Sequence, residues 1–200
     1  VTLIDLIIQN TMVIGGSNGG GICVDHHEDT TVENCYIGPI SQTTNEDVGI
    51  WLWETEKADI LNCNISAGDT DYGIVVEGSD DVEILESMFS NNDIAIYGYK
   101  DPSNDVEIHY CILDGNTNYG VKNDFTNVFD AECNYWGDAS GPSGVGPGSG
   151  DAVSNNVDYD PWTGKLVVTA TAPGSPTVWC IDPDVEFDGT VTPQCTYANP

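Results

Sequence analysis

The feature that most constrains the fold of this chain is an internal repeat of about 24 residues. Each copy carries an alternating apolar and polar segment with one small residue at the same place, and these markers are separated by 24, 28, 24, 24 and 22 residues. The markers are Thr11, Cys35, Cys63, Ser87, Cys111 and Cys133. A second short apolar run follows in most copies, for example residues 49–52 and 73–76. One such unit cannot bury its apolar row alone, so repeats of this kind stack on one another.

Both runs of each repeat alternate with a period of two, which is typical of β-strands. Gly, Asn, Asp and Ser cluster between the runs and predict turns, and no segment has helical spacing. Short strands stacked in register at roughly 4.8 Å per coil form a β-solenoid. We therefore predict an all-β solenoid of about six coils, roughly 29 Å long at that spacing.

The last repeat is followed by residues 134–142 (NYWGDASGP), 150–153 (GDAV) and 157–162 (VDYDPW). Together with the repeats, this closing segment resembles the right-handed parallel β-helix proteins of the pectate-lyase-like superfamily. The resemblance covers about residues 3–163 and implies one β-helix domain over residues 1–163, followed by a tail over residues 164–200. It does not imply one activity, because the superfamily contains lyases, hydrolases, epimerases, adhesins and phage spikes.

The charge of the chain excludes several classes of partner. The sequence has 33 acidic residues against four Lys and no Arg, and its formal net charge is −29. Phosphate backbones and anionic membrane surfaces would repel such a chain, so we predict no nucleic-acid binding. No run of about 18 apolar residues is present, so we predict no insertion into a membrane. A hydrophobic content of 40% is enough for a packed core.

The missing arginine also bears on catalysis. The resemblance implies two known mechanisms: elimination with an arginine base, and hydrolysis with three Asp residues beside a Gly-His-Gly motif. Neither set of residues is present in the sequence. We therefore predict no catalytic residues and no required cofactor, and we favour a chain that is not an enzyme without excluding one.

The cysteines of the marker column face the core in this register. One interpretation is that these small thiols fill the core. The alternative is disulfides between adjacent coils, Cys35–Cys63 and Cys111–Cys133, because a coil spacing of ~4.8 Å lies inside the Cα range of a disulfide.

Alternation in the second run predicts which residues face solvent. The residues predicted to point inward are Ile22, Ile50, Ile74, Ile94 and Val121. The outward residues then include Trp51, Trp53, Val75, Tyr97 and Tyr99, a larger apolar stripe than scattered exposed residues would give. Three interpretations are open: coverage by the chain's own tail, a subunit interface, or a platform on which sugar rings stack.

Acidic residues in the turns are candidates for calcium ligands, since calcium prefers oxygen donors. The candidate pairs are Asp69 with Asp71, Asp101 with Asp105, and Asp158 with Asp160. None follows the EF-hand or nonapeptide pattern, so calcium is an optional ligand in this prediction. Residues 25–29 (DHHED) are interpreted as a solvated turn rather than a metal site or an acid–base pair.

The two ends of the chain suggest assembly. A coil begins almost at Leu3, so we expect either that another subunit covers this end or that the chain is cut from a longer one. In the tail, residues 165–172 predict a strand, and Cys180 and Cys195 predict a disulfide loop.

We therefore predict an extracellular or cell-surface structural or adhesive protein that assembles head to tail into a homo-oligomer or filament. The alternative is a carbohydrate-binding or carbohydrate-active β-helix with a polysaccharide as its partner.

Overall fold

A computed structural model describes the backbone of residues 1–4, 7–8, 11–12, 19–41, 47–164, 167–168 and 179–180. Side chains are described over residues 1–4, 21–39, 47–67 and 72–164. Strands, turns and bends make up this part of the chain, and it contains no helix. Among these residues, no segment has the length and apolar character that a membrane-spanning helix requires.

The strands are short, and each coil contains several of them. In chain order they are β1 (Thr2–Ile4), β2 (Ile7–Ile8), β3 (Thr11–Met12), β4 (Gly19–Asp25), β5 (Thr30–Glu33), β6 (Tyr36–Ile37), β7 (Ile40–Ser41), β8 (Asp47–Trp53), β9 (Ala58–Leu61), β10 (Asn64–Ile65), β11 (Gly68–Glu77) and β12 (Asp80–Leu85). They continue as β13 (Met88–Phe89), β14 (Asn92–Gly98), β15 (Asn104–His109), β16 (Ile112–Leu113), β17 (Tyr119–Asn123), β18 (Phe129–Asp130), β19 (Pro142–Gly144), β20 (Gly150–Val153), β21 (Val157–Asp158), β22 (Val167–Val168) and β23 (Trp179–Cys180).

Three parallel sheets run along the solenoid. Sheet 1 has the order β1-β5-β9-β12-β15-β18-β21, sheet 2 the order β2-β6-β10-β13-β16, and sheet 3 the order β4-β8-β11-β14-β17-β20-β19. Strands β3 and β7 form a further parallel pair, and β22 and β23 pair antiparallel. In the described part of the chain, successive coils therefore stack strand on strand, as the repeat predicts.

The number of coils is close to the six predicted. Five coils contribute a strand to each of the three sheets in the described residues. The next coil contributes β18 to sheet 1 and β20 to sheet 3, and a parallel bridge joins its Tyr135 to Ile112. The prediction of an all-β parallel solenoid is confirmed.

The interior is filled by stacked columns of aliphatic side chains. In sheet 1, Val32, Ile60, Ile84 and Ile108 lie opposite one another on successive strands. In sheet 2 the equivalent column is Ile37, Ile65, Phe89 and Leu113. Each of these side chains is fully buried, so alternate residues of these strands face the interior, as the period of two implies.

A ladder of buried amides supports the corner between sheets 2 and 3. Oδ1 of the Asn92 side chain accepts a 2.8 Å hydrogen bond from the Ala67 backbone N–H. Its Nδ2 donates to Asn116 Oδ1 at 2.8 Å, and Asn116 Nδ2 donates to Asp151 Oδ2 at 2.6 Å. The ladder gives partners to polar groups that would otherwise be buried without any.

The register predicted for sheet 3 is wrong on one strand. Ile94 was expected to align with Ile74 and to point inward, whereas Ile96 pairs with Ile74 and Ile94 pairs with Tyr72. The register shifts between Gly68 and Tyr72, so β14 is offset by two residues from the simple repeat. Consequently Tyr97, and not Ala95, lies opposite Val75, and Ala95 belongs to the interior core.

The predicted disulfides between coils are also wrong. Cys35, Cys63 and Cys111 are free, buried thiols, so the core-filling interpretation applies to them. Their sulfur atoms contact backbone carbonyls, as in the 3.2 Å contact from Cys35 Sγ to Glu33 O. Cys133 is disulfide-bonded, but Cys111 is free, so the Cys111–Cys133 pair is not formed.

The predicted tail lies mostly outside the described residues. The side chains of Cys180 and Cys195 are not among those described, so the Cys180–Cys195 disulfide stays a prediction. At the other end, β1 pairs with β5 in the same parallel register as the later strands of sheet 1.

Candidate functional site

Sheet 3 turns three rows of side chains outward, and we call these rows together the outer face. Row 1 contains Val48, Tyr72, Ile94 and Tyr119; row 2 contains Cys23, Trp51, Val75, Tyr97 and Lys122. Row 3 contains Asp25, Trp53 and Glu77, and then Tyr99 and Asp124, which follow the paired residues Gly98 and Asn123.

A bend in each strand separates row 1 from the rest. A Cβ on Gly49 would lie 3.0 Å from Ile65, and a Cβ on Gly73 would lie 3.3 Å from Phe89, so both glycines face the interior. The next residue, Ile50 or Ile74, also faces the interior and is fully buried. Two consecutive inward positions reverse the alternation, and row 1 consequently faces outward beside row 2.

The middle of the outer face is an apolar cluster that is distinct from the interior core. It consists of Val48, Val75, Ile94 and Tyr97, with Trp51, Tyr72, Tyr99 and Tyr119 packed around it. Val75 is only 2% exposed and Tyr97 only 6% exposed, although both point away from the interior. The side chains of this face thus cover one another.

The structure brings together all five residues of the predicted outward stripe. The Trp51 and Trp53 rings are 6.5 Å apart between centroids, and the Tyr97 and Tyr99 rings are 5.1 Å apart. Val75 lies between the strands that carry these two pairs. Tyr72, which the sequence analysis did not single out, meets Tyr97 edge to face at 5.3 Å.

Row 3 alternates between carboxylates and aromatic rings. Along successive coils it reads Asp25, Trp53, Glu77, Tyr99 and Asp124. At roughly 4.8 Å per coil, the rings of Trp53 and Tyr99 are two coils or ~9.6 Å apart along the axis. Trp53 is 38% exposed, so its ring is more accessible than that of Trp51, the other tryptophan described on this face.

Glu77 is the most buried carboxylate of row 3. Its side chain is 7% exposed, and the Lys100 ammonium lies 4.0 Å from its Oε1. Burial raises the pKa of the Glu77 carboxyl, against the opposing effects of the Lys100 charge and the Trp51 indole N–H. The Trp51 Nε1 atom is itself buried.

Two lysines lie on tyrosine rings of this face. The Lys100 ammonium is 4.4 Å from the centroid of the Tyr99 ring, and the Lys122 ammonium is 4.3 Å from that of Tyr97. Both distances are within the range of a cation–π interaction. Each lysine thus combines the face of a tyrosine ring with a neighbouring carboxylate.

The carboxylate beside Lys122 is Asp124. Lys122 Nζ donates to Asp124 Oδ2 at 3.0 Å, and the Tyr97 hydroxyl donates to the same oxygen at 2.7 Å. Burial alone would raise the pKa of Asp124, but the hydrogen bonds from Tyr97 and Lys122 outweigh it and hold that pKa below its usual value.

A turn after row 3 adds His26, Glu54 and Lys100 to the rim. All three have left-handed backbone conformations, with φ of 50°, 49° and 56°. Backbone hydrogen bonds stack these turns: His26 N–H donates to Trp53 O, and Glu54 N–H donates to Glu77 O, both at 2.9 Å. The tight turns hold these three charged side chains next to the rings of row 3.

His26 lies between two carboxylates. Its Nδ1 contacts Asp25 Oδ1, and its Nε2 is 2.6 Å from Glu54 Oε2 in the next coil. Its ring meets that of Trp53 edge to face at 5.7 Å. The hydrogen bond to Asp25, together with the charge of Glu54, raises the pKa of His26 even though desolvation opposes the rise. The residues around this turn are exposed, as the interpretation of a solvated turn implies.

Among the described residues, the candidate calcium ligands do not lie together in one site. No group of three or more His, Cys, Asp or Glu in this part of the chain is arranged to hold a metal ion. Asp158 pairs with Asp130 in sheet 1, whereas Asp101 precedes β15 and Asp105 lies within it. The side chains of Asp69 and Asp71 lie outside the described residues, and calcium binding stays a prediction.

Sequence reasoning missed the partners that complete this face. Glu54, Lys100 and Lys122 have no role in the sequence-based prediction, although Glu54 and Lys100 follow strands of sheet 3 and Lys122 lies on one. The signal was present in the spacing, because residues about one repeat apart are neighbours in a solenoid. Assembled, the outer face offers aromatic ring surfaces, carboxylate acceptors and two ammonium donors along one line.

Comparison with known proteins agrees with this architecture. The family model for the right-handed β-helix region matches residues 2–134, about two thirds of the chain. Searches of curated proteins and of solved structures find no match. The repeats, the three parallel sheets and this match together show that the chain belongs to the right-handed β-helix family.

Proposed function

We propose that this chain is an extracellular adhesive β-helix protein that binds a polysaccharide through its outer face. The observation that carries the proposal is row 3, in which carboxylates alternate with aromatic rings and Trp53 is exposed. Sugar rings present apolar CH surfaces that can cover aromatic faces, and their hydroxyl groups donate hydrogen bonds to carboxylates. A chain of sugars along the solenoid axis would meet both kinds of group in turn.

The distribution of exposed surface favours a sugar over a subunit interface. The apolar cluster of the outer face is already covered by its own side chains, with Val75 and Tyr97 buried. What stays accessible is the ring of Trp53 and charged groups such as Asp25 and Glu54. The core of a stable protein interface is depleted in charged residues, whereas a glycan surface tolerates them.

A location outside the cell is part of the proposal. The disulfide at Cys133 supports an oxidising compartment, where such bonds persist. The net charge of −29 supports solubility at an exposed surface.

The experiment is a glycan array, followed by isothermal titration calorimetry with the glycans that the protein binds on the array. Trp53→Ala removes the exposed ring, and we expect it to weaken binding at least tenfold. The matched control is Tyr36→Ala, which removes a half-buried ring from sheet 2 on another side of the solenoid. If no glycan binds, or if both variants bind as the parent chain does, the outer face is not the glycan site.

Self-association is a second candidate. The observation that favours it is row 1, where the rings of Tyr72 and Tyr119 stay partly exposed beside the buried Val48 and Ile94. Assembly through this surface would give a homo-oligomer, and assembly end to end would give a filament. Electron microscopy and light scattering of concentrated protein test both, and particles that stay monomeric would rule them out.

A further inference from the structure

Cations of the chain itself occupy aromatic–carboxylate pairs on the outer face. The Lys100 ammonium lies over the Tyr99 ring and 4.0 Å from Glu77 Oε1. One coil further, the Lys122 ammonium lies over the Tyr97 ring and 3.0 Å from Asp124 Oδ2. Two independent side chains thus place an ammonium group in the same chemical setting.

A third pair has a histidine instead of a lysine. Trp53 lies beside Glu54 and Asp25, and the imidazole between them contacts both carboxylates and the edge of the indole. Here the accessible face of Trp53 carries no lysine of the chain within the described residues. An ammonium group of a ligand would meet the same combination of ring and carboxylate that Lys100 meets.

The outer face keeps an excess of negative charge after these internal pairs are counted. Its carboxylates are Asp25, Glu54, Glu77, Asp101 and Asp124, against the cations Lys100, Lys122 and a protonated His26. The whole chain carries −29. A polymer of uronic acids would be repelled over this surface, while a polymer of cationic sugars would be drawn to it.

We propose that the polysaccharide bound by the outer face is an amino-sugar polymer with free ammonium groups. This inference rests on the glycan-binding role proposed above and names the class of glycan. A sugar ring stacks on the exposed ring of Trp53. Ammonium groups of this sugar and its neighbour pair with the exposed carboxylates of Asp25 and Glu54.

The test compares soluble hexamers of glucosamine, N-acetylglucosamine, glucose and galacturonic acid by calorimetry with the whole chain. We expect the glucosamine hexamer to bind at least tenfold more tightly than the N-acetylated and glucose hexamers, and the galacturonate hexamer not to bind. The preference should shrink as salt is raised to ~0.5 M, because paired charges at an accessible surface are screened.

Variants separate this site from general attraction to an acidic chain. Glu54→Gln and Trp53→Ala should each weaken binding of the glucosamine hexamer by fivefold or more. Glu83→Gln removes the same charge from the outward side of sheet 1 and should leave the affinity within twofold. Because Glu54 and Trp53 are exposed, neither change is expected to disturb the fold.

Each outcome decides the inference. Equal affinity for the glucosamine and N-acetylated hexamers overturns it while leaving the glycan-binding role intact. Absence of binding by all four hexamers overturns both. A loss of affinity in Glu83→Gln equal to that in Glu54→Gln, or a lysine-rich peptide that competes at equal affinity, would mean that the face attracts any polycation, and this also overturns the inference.

Discussion

The Nδ2 atom of Asn92 donates a 2.8 Å hydrogen bond to Oδ1 of Asn116, the residue at the same corner of the next coil. Both side chains are buried, and Asn116 also donates to Phe89 O at 3.1 Å. The pair joins two coils through side chains as well as through strand pairing. Removal of this hydrogen-bonded pair should therefore lower the free energy of unfolding of the whole solenoid.

We predict that Asn116→Ala lowers the free energy of unfolding by about 1–3 kcal/mol, because Asn92 and a buried carbonyl lose their partner. Urea unfolding followed by circular dichroism measures the change. Asn118→Ala is the control: its amide pairs with Asp93 at an exposed position, and its loss should cost no more than about 0.5 kcal/mol. Equal losses in the two variants would show that the buried ladder is not what stabilises this corner.

A methyl group at Gly73 should destabilise the bend in sheet 3. A Cβ there would lie 2.5 Å from the backbone oxygen of Ala95 in the next coil, and backbone atoms in a sheet cannot move away independently. We expect Gly73→Ala to cost about 1–3 kcal/mol of unfolding free energy, as overpacking does. The reverse change one coil on, Ala95→Gly, should cost less, since it removes a methyl group and adds no contact. Wild-type stability of Gly73→Ala would contradict the inward orientation of that residue.

The buried thiols should be unreactive. Burial raises the pKa of Cys63 and of Cys111 to about 12, so almost no thiolate is present at neutral pH. In native protein treated with iodoacetamide, peptide mapping should find label at the exposed Cys23 and none at Cys63 or Cys111; in denaturant all three should be labelled. A Cys35–Cys63 disulfide in the map of untreated protein would contradict the structure.

The contacts of His26 predict a pH dependence. The carboxylates of Asp25 and Glu54 raise the folded-state pKa of His26 above the ordinary histidine value of about 6.5, so the favourable pairing is fully present below that value. It is lost as the pH rises through the folded pKa, when the imidazole becomes neutral. Proton NMR of the His26 ring should therefore give a midpoint above 6.5, and Asp25→Asn with Glu54→Gln should lower it. An unchanged midpoint in that double variant would show that the two carboxylates are not the cause.

The sequence predicts the solenoid well because its signal is local and repeated. Inward residues such as Ile60 and Ile84 recur at the marker spacing. A wrong strand assignment in one repeat is therefore exposed by comparison with the next repeat. The outer face was harder to predict, since the bend at Gly73 and Ile74 breaks the period of two. A two-residue offset before β14 also places Tyr97 opposite Val75, where the simple repeat would place Ala95.

Charges were the least predictable part of the site. Lys100 and Lys122 look scattered in the sequence, yet they lie on adjacent strands and contact tyrosines 97 and 99. Whether such side chains meet depends on the register of the coils, which the apolar pattern alone leaves uncertain by two residues.

The central claim is that the outer face binds a glycan, and hydrogen–deuterium exchange with and without the glucosamine hexamer tests it most directly. We predict added protection in peptides that cover residues 51–54, 75–78 and 97–101, with sheets 1 and 2 unchanged. Protection confined to sheet 1 or sheet 2, or no change at a hexamer concentration that saturates binding, would contradict the claim.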